Sequence, residues 1–212
     1  MKKNKIYRGD ILMKAILYVH GKGGSYLEAE QYKKNCDGFD IFGVDYNDYL
    51  PWVVQNQIKA EYDNLIEKYD EVYLIAASIG AYFSMLTLQG RCIKKALFIS
   101  PVLDMERLIL DMLSWANANE KELCERREIQ TDFGETLSWN YLKFVRANPI
   151  AWDIPTEILY GENDNLTSRN TVNAFAKSHH ANVAIMENGE HWFHTDEQIA
   201  FLDKWMKEAI KM

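Results

Sequence analysis

The chain has 212 residues, of which 48% are hydrophobic and 13% aromatic, and its formal net charge is −7. A chain of this length can bury about 70% of the surface that its unfolded form exposes, so a packed core is expected and extensive disorder is excluded. The acidic balance argues against a nucleic-acid-binding protein, because neutralising phosphate groups requires a basic face.

The N-terminal residues are predicted to stand apart from the rest of the chain. Residues 1–12 do not fit the pattern that follows and are predicted to be a leader without stable structure, with Met13 as an alternative translation start. No long apolar core follows the first lysines, so the leader does not resemble a secretory signal. No run of about 18 or more apolar residues predicts a membrane span anywhere in the chain.

Short apolar runs alternate with helical patterns along most of the chain. Strands are predicted at 14–19, 39–44, 72–77, 95–100, 156–160 and 182–186. Helices are predicted at 26–34, 51–69, 79–89, 167–177 and 195–211. Strands that alternate with helices predict an α/β layered domain with a mostly parallel sheet of about six strands. The carboxyl ends of such strands meet at one edge, where ligands collect.

The alternation stops between residues 102 and 152. This segment is rich in large apolar residues at helical spacing and is predicted to be a cap of two or three helices. The sequence therefore predicts one domain over residues 13–212, with the cap inserted in it.

A serine follows the third predicted strand directly. The apolar run 72–77 ends at Ser78, and a helical pattern begins behind it. The small residues Ala76 and Gly80 suit a tight corner, because the backbone there passes close to itself. The string Ala-x-Ser-x-Gly is one residue from the Gly-x-Ser-x-Gly nucleophile elbow. A plain strand-to-helix turn capped by serine also fits this string. Residues elsewhere in the chain are therefore needed to choose between a nucleophile and an ordinary cap.

An aspartate and a histidine follow the last two predicted strands. Asp164 lies in the loop after strand 156–160, and His191 follows strand 182–186. Asp164 could also be an ordinary turn residue, and Asp104, after strand 95–100, is a rival acid. The rival bases are His194, His179 and His180.

The order Ser, Asp, His, each after a strand, resembles the α/β-hydrolase superfamily. The resemblance runs from about residue 13 to the end and is greatest with small single-domain serine esterase-like members that have a short helical cap. It implies a three-layer α/β sandwich in which Ser78 is the nucleophile, His191 the base and Asp164 the acid. The resemblance also favours Asp164 over Asp104.

The same resemblance assigns the two donors that would stabilise an oxyanion. One is the backbone N–H of Ile79, directly after the serine, and the other is the N–H of Lys22 in the loop His20-Gly21-Lys22-Gly23. A phosphate-binding glycine loop is the alternative for this loop, but its string does not match Gly-x-x-x-x-Gly-Lys-Ser/Thr.

Aromatic residues of the cap and the loops are candidates for the wall of an acyl pocket, although ordinary packing explains any single one equally well. The candidate pocket residues are His20, Gly21, Gly23, Tyr26, Trp115, Trp139 and Trp192. Such a pocket suits short or medium acyl or aromatic esters, and the sequence does not separate esters from thioesters or amides. The competing class is an inactive binding protein that uses the same scaffold.

Three widely spaced cysteines, Cys36, Cys92 and Cys124, are typical of reduced thiols in the cytoplasm. The pair His191 and His194 lacks a third ligand at metal-site spacing. The sequence therefore predicts a cytoplasmic monomer or homodimer that uses a small acyl substrate, with no metal, cofactor, nucleic acid or membrane partner.

Overall fold

A computed structural model describes residues 12–211. The predicted leader, apart from Leu12, lies outside the described residues. The described strands are β1 Lys14–Val19, β2 Phe39–Gly43, β3 Glu71–Ala77, β4 Ala96–Ile99, β5 Glu128–Gln130, β6 Thr136–Ser138, β7 Thr156–Gly161 and β8 Asn182–Met186. The described α-helices are α1 Ala29–Tyr32, α2 Pro51–Lys68, α3 Ile79–Leu88, α4 Met105–Trp115, α5 Glu120–Arg126, α6 Trp139–Ala147, α7 Arg169–His179 and α8 Asp196–Ala209.

Six of these strands form one sheet, in the order β2-β1-β3-β4-β7-β8, and every neighbouring pair is parallel. The predicted parallel sheet of about six strands is therefore confirmed. Because all six strands run the same way, their carboxyl ends lie along a single edge, and the loops that leave them meet there.

Helices cover both faces of the sheet, which makes three layers. The side chains of β1, an interior strand of the sheet, show how both faces are buried. Ala15, Leu17 and Val19 pack on one face with residues of α2, α3 and α7, whereas Ile16 and Tyr18 pack on the other with residues of α1 and α8. All five side chains are fully buried, as expected for a parallel strand whose successive side chains point to opposite faces.

The segment predicted as one helix at 26–34 is broken into shorter turns. A 3₁₀ turn at Tyr26–Glu28 precedes the four-residue α1, and another 3₁₀ turn follows at Lys33–Asn35. The segment is fixed at both ends. Ser25 and Glu28 form a capping box at its start, and the buried Asn35 amide donates to Asp203 Oδ1 at 2.7 Å at its end.

The cap contains three helices, α4, α5 and α6, and also a hairpin that was not predicted. Its strands β5 and β6 are antiparallel and have three residues each, too few to show an alternating pattern in sequence. The turn is closed by Thr131, whose N–H donates to Glu135 O at 2.9 Å and whose hydroxyl accepts from Glu135 N at 2.9 Å. Gly134 takes φ +84° in this turn, a conformation that favours glycine.

The chain returns from the cap to the sheet through a buried tryptophan. The Trp152 indole N–H donates to Thr156 Oγ1 at 2.8 Å, and the Thr156 hydroxyl donates to Ile154 O at 2.7 Å. The Trp152 ring lies 5.7 Å from the ring of Phe98 in β4. These contacts fix the start of β7, the strand that leads to Asp164.

No helix among residues 12–211 combines the length and the apolar character that crossing a lipid bilayer requires.

Replacing Thr156 with Val should destabilise the fold. Valine has nearly the same shape but leaves the Trp152 N–H and the Ile154 carbonyl without their partner, which costs about 2 kcal/mol in the free energy of unfolding. Urea denaturation measures this loss. The control Thr136→Val removes an exposed hydrogen bond to Gln130 in the hairpin and should change stability by less than about 0.5 kcal/mol. Equal losses in the two variants would contradict the anchoring of the cap at Trp152.

Candidate active site

The predicted nucleophile lies at a strained corner between β3 and α3. Ser78 has φ +51° and ψ −124°, a conformation rarely taken by residues other than glycine. Hydrogen bonds hold it there on both sides, since its N–H donates to Ile99 O at 3.0 Å and its carbonyl accepts from Val102 N at 3.0 Å. Backbone strain of this kind, held by surrounding contacts, is characteristic of functional sites.

Gly80 allows this corner to pack against the end of β1. A Cβ atom at this position would lie 2.4 Å from Val19 O and 2.5 Å from His20 O, which are backbone atoms that cannot give way easily. Gly21 is close as well, since a Cβ there would lie 3.1 Å from the Ser78 Cβ. The loop after β1 is therefore held directly against the serine.

Ser78, His191 and Asp164 form one chain of hydrogen bonds. His191 Nε2 lies 2.9 Å from Ser78 Oγ, and His191 Nδ1 lies 2.8 Å from Asp164 Oδ2. The side chains of His191 and Asp164 are 1% and 0% exposed, so water does not compete for these contacts. An ionised carboxylate only accepts hydrogen bonds, so Nδ1 carries the ring proton and Nε2 accepts from the serine hydroxyl.

The second oxygen of Asp164 is bound by its own loop. Asp164 Oδ1 accepts from Leu166 N at 2.8 Å and from Thr167 N at 3.0 Å. Thr167 is itself fixed, because its hydroxyl donates to Pro101 O at 2.9 Å and its carbonyl accepts from the Tyr160 hydroxyl at 2.9 Å. Three donors thus stabilise a buried carboxylate that would otherwise be costly, and they orient Oδ2 towards the imidazole.

Two glycines bring the loops of Asp164 and His191 into contact. A Cβ at Gly161 would lie 2.5 Å from Glu190 O and 2.6 Å from Gly189 O, and a Cβ at Gly189 would lie 3.1 Å from Gly161 Cα. The two loops are then joined by a hydrogen bond from Asn163 N to Gly189 O at 2.7 Å. No side chain fits between these loops, so both positions require glycine.

The rival acid and bases have other partners. Asp104 caps α4, where its Oδ1 accepts from Arg107 N at 2.9 Å. His194 is largely exposed, and its Nδ1 lies 2.7 Å from Trp192 O and 3.5 Å from Glu190 Oε2.

The remaining pair lies at the far end of α7. His179 Nδ1 is 2.7 Å from Trp152 O, and His180 ends the helix in the left-handed conformation. None of the three rival histidines contacts Ser78.

The two predicted oxyanion donors belong to residues that line a cavity together with the serine. Ile79 is the first residue of α3, so its N–H has no acceptor within the helix. Lys22 follows Gly21, which touches the serine. Among residues 12–211, neither N–H donates to a protein acceptor. The Lys22 side chain forms an ion pair with Glu135 of the hairpin, which links this loop to the cap.

A cavity of about 440 Å³, termed the cap cavity, lies between the cap and the strand ends. Ser78, Ile79, Lys22 and Trp192 line its base. Its further lining has an apolar wall and several polar groups and includes Val102, Met105, Leu108, Ile109, Met112, Leu137, Asp48, Tyr49, Glu135, Thr136, Ser138 and Tyr141. The apolar face of α4 that lines it follows a helical spacing visible in the sequence, but nothing in that spacing showed that the face was turned towards the serine.

A smaller cavity of about 280 Å³, termed the second cavity, opens on the other side of Ser78. It is lined by residues of the 24–34 segment, by α8 and by the loop that carries His191. The Tyr18 hydroxyl, which donates to Glu28 Oε2 at 2.5 Å, forms part of its wall. Burial, and then the nearby Tyr32 and Glu28, raise the pKa of Tyr18 well above its ordinary value, so the phenol stays neutral and remains a donor.

Two of the seven predicted pocket residues line these cavities. Trp192 lines both cavities, and Gly21 lines the second. His20 is buried instead, with its ring stacked 4.0 Å from the ring of Tyr46. The residues that line neither cavity are His20, Gly23, Tyr26, Trp115 and Trp139.

The aromatic residues away from the cavities have ordinary packing or surface positions. Trp115 is 47% exposed and contacts Phe133 at the hairpin turn, with ring centroids 6.2 Å apart. Trp139 packs against the apolar core, and Tyr26 is exposed. Bulk and aromaticity in the sequence do not show which way a side chain points. Among residues 12–211, no three His, Cys, Asp or Glu residues are grouped so that they could hold a metal ion.

Comparisons with known proteins identify the fold of the chain. No family model and no curated protein sequence matches the chain. Among solved structures, Est1E from Butyrivibrio proteoclasticus is similar, with 16% identity, a TM-score of 0.74, and coverage of 96% of this chain and 88% of that one. The mouse α/β hydrolase domain-containing protein 10 has 13% identity, a TM-score of 0.70, and coverage of 93% and 89%.

An esterase from Pyrococcus furiosus has 16% identity, a TM-score of 0.61, and coverage of 94% of this chain and 82% of that one. Identities this low support a statement about the fold alone. The chain has the α/β-hydrolase fold, as its resemblance to that superfamily implied, and its structural neighbours are esterases and hydrolases.

Replacing Gly161 with Ala should disturb the contact between the loops of Asp164 and His191. The new Cβ would collide with two backbone oxygens, and overpacking of this kind costs about 2 to 3 kcal/mol in the free energy of unfolding. The control is Gly38→Ala, where a Cβ meets no atom within 4 Å and only the positive φ is strained, which costs about 1 kcal/mol. Urea denaturation compares the two. A loss at Gly161 no larger than that at Gly38 would show that the loops are not closely packed.

Proposed function

We propose that this protein is a serine hydrolase that cleaves a small acyl ester through an acyl-enzyme intermediate. The observation that carries the proposal is the unbroken hydrogen-bond chain Ser78–His191–Asp164 at the strand ends, with contacts of 2.9 and 2.8 Å. This arrangement of hydroxyl, imidazole and carboxylate suits nucleophilic acyl transfer, because each group activates or orients the next.

In the proposed first step, Ser78 Oγ attacks the acyl carbonyl carbon. Its proton passes to His191 Nε2, which is already the acceptor of the serine hydroxyl. The carbonyl oxygen becomes an oxyanion, and the unengaged N–H groups of Ile79 and Lys22 stabilise it. Donors that are in place before the reaction need no reorganisation when the charge develops.

Asp164 keeps the imidazole in the required tautomer and stabilises the imidazolium that forms. Its three donors, which include the backbone N–H groups of Leu166 and Thr167, hold it in place. The imidazolium then gives its proton to the leaving group. In the second half of the cycle, water replaces the leaving group, His191 takes a proton from it, and the acyl-enzyme is hydrolysed.

The size of the cap cavity favours a small substrate. About 440 Å³ with one apolar wall suits a short or medium acyl chain or an aromatic acyl group. An oxygen ester fits the esterases among the structural neighbours, and the same site chemistry extends to a thioester or an amide.

The competing proposal is a binding protein that has the scaffold without the reaction. The two are separated by a fluorophosphonate probe, which forms a covalent bond only with an activated serine. A protein that binds its ligand without catalysis would remain unlabelled.

Replacing Ser78 with Ala should abolish covalent labelling by a fluorophosphonate probe, because the nucleophilic oxygen is removed. Turnover of p-nitrophenyl acetate should fall by at least about a thousandfold. Intact-protein mass spectrometry measures the label, and release of p-nitrophenol measures turnover. The control Ser178→Ala changes an exposed serine on α7 and should leave both unchanged. Labelling that persists in Ser78→Ala would assign the reaction to another nucleophile, and an unlabelled native protein would favour the binding protein.

Replacing Asp164 with Asn should reduce kcat by about four orders of magnitude, since an amide can hold the imidazole in the wrong tautomer. Asp104→Asn is the matched control. Asparagine caps a helix about as well as aspartate, so α4 should be retained and turnover should hardly change. Steady-state kinetics on p-nitrophenyl acetate tests both variants. A larger loss of kcat in Asp104→Asn than in Asp164→Asn would make Asp104 the acid.

A further inference from the structure

The two cavities meet at Ser78 but differ in the reacting group that each contains. Both are lined by Ser78, Lys22 and Trp192. Ile79, which supplies a proposed oxyanion donor, lines the cap cavity and is absent from the lining of the second. His191 lines the second cavity and is absent from the lining of the cap cavity. The site is therefore two-sided.

The proposed reaction assigns a substituent of the substrate to each side. When Ser78 Oγ bonds to the carbonyl carbon, the serine proton moves to His191 Nε2 and the carbonyl oxygen takes the negative charge. The bond between the carbonyl carbon and the leaving-group oxygen then breaks, and that oxygen takes the proton from His191. The leaving group must therefore lie on the His191 side, whereas the oxyanion lies against Ile79 and Lys22.

On the basis of the proposed function, we propose that the cap cavity holds the acyl group and that the second cavity is the leaving-group site, which takes a small, uncharged, hydroxylated alcohol of about the size of glycerol or a single sugar. This assignment gives the 24–34 segment and α8 a role in substrate selection, although both lie outside the cap.

The lining of the second cavity supports a polar leaving group. Lys34 Nζ lies 2.7 Å from Asp203 Oδ2, and Glu28 accepts from the Tyr18 hydroxyl. The two lysines on this wall already have carboxylate partners, Lys34 with Asp203 and Lys22 with Glu135, so neither is left to attract an anionic leaving group. Carboxylate and ammonium groups on the wall can form hydrogen bonds with hydroxyls. A long alkyl chain would displace water from these charged groups without replacing its hydrogen bonds, which is unfavourable.

Another part of the wall is apolar, which suits the carbon skeleton of such an alcohol. Ile199, Leu202 and Phe193 lie on this side. Ile199 lies on α8 and is 39% exposed at the cavity. It can therefore be enlarged without disturbing the core.

The assignment is tested by filling each cavity in turn. Ile199→Trp narrows the second cavity, Met112→Trp narrows the cap cavity, and Ile66→Trp adds an indole at an exposed position of α2 that lines neither. Lys34→Trp is a second variant of the second cavity at an exposed position and serves if Ile199→Trp does not fold. One substrate series consists of the acetates of ethanol, glycerol and glucose, and the other of the p-nitrophenyl esters of acetic, butyric and octanoic acids.

Ile199→Trp should lower the ratio of kcat/KM for glucose acetate to that for ethyl acetate by at least about tenfold, while the octanoate-to-acetate ratio keeps its native value. Met112→Trp should lower the octanoate-to-acetate ratio and leave the ratio of glucose acetate to ethyl acetate at its native value. Ile66→Trp should change neither ratio. A second readout separates the two halves of the cycle. Deacylation of a common acetyl-enzyme, followed after a rapid-quench burst, should keep its native rate in Ile199→Trp because the alcohol has already left.

Reversed ratios, or a larger effect of Ile199→Trp on acyl length than on alcohol size, would overturn the assignment. A native preference for ethyl acetate over glyceryl and glucose acetates would overturn the polar leaving group. These outcomes differ from failure of the proposed function. If the proposed function fails, the native protein is not labelled by a fluorophosphonate at Ser78. If only the cavity assignment fails, the native protein is still labelled and only its substrate selectivity differs from the expected one.

Discussion

The site depends on the stabilisation of one buried carboxylate. Asp164 has no exposed side-chain surface, and a buried carboxylate is tolerated only when its oxygens have partners. Two backbone amides of its own loop and the imidazole of His191 provide them. The imidazole reaches Asp164 because Gly161 and Gly189 let the loops after β7 and β8 touch. The parallel sheet also places the ends of β3, β7 and β8 along one edge. The geometry of the site therefore depends on the packing of the two loops, and that packing depends on the parallel sheet.

Much of this could be predicted from the sequence, because the signals are local. Apolar runs such as 14–19 and 72–77 mark strands that are buried on both faces, and a parallel sheet then fixes where the residues after each strand must lie. For this reason Ser78, Asp164 and His191 could be selected from positions far apart in the chain. The rivals Asp104 and His194 could not be dismissed by spacing alone. Only the structure shows that Asp104 caps α4 and that His194 is exposed, with its Nδ1 next to Trp192 O.

The cavities could not be predicted in the same way. Which side of a cap helix faces the serine depends on how the helix packs, so Leu108, Ile109 and Met112 did not stand out, whereas the larger Trp115 and Trp139 did. The hairpin β5–β6 has strands too short for a periodic pattern, and its contact with Lys22 joins residues that are 113 positions apart. Contacts of this range come from tertiary packing and leave no trace in local composition.

The backbone of Ser78 also limits which side chains this corner can accept. A positive φ is a genuine outlier for a side chain branched at Cβ, so threonine would offer a hydroxyl in a conformation that its methyl group opposes. Cysteine, unbranched at Cβ, meets no such obstacle. A single replacement at residue 78 can therefore introduce a thiol. The secondary alcohol of threonine is excluded by its shape, whatever its reactivity.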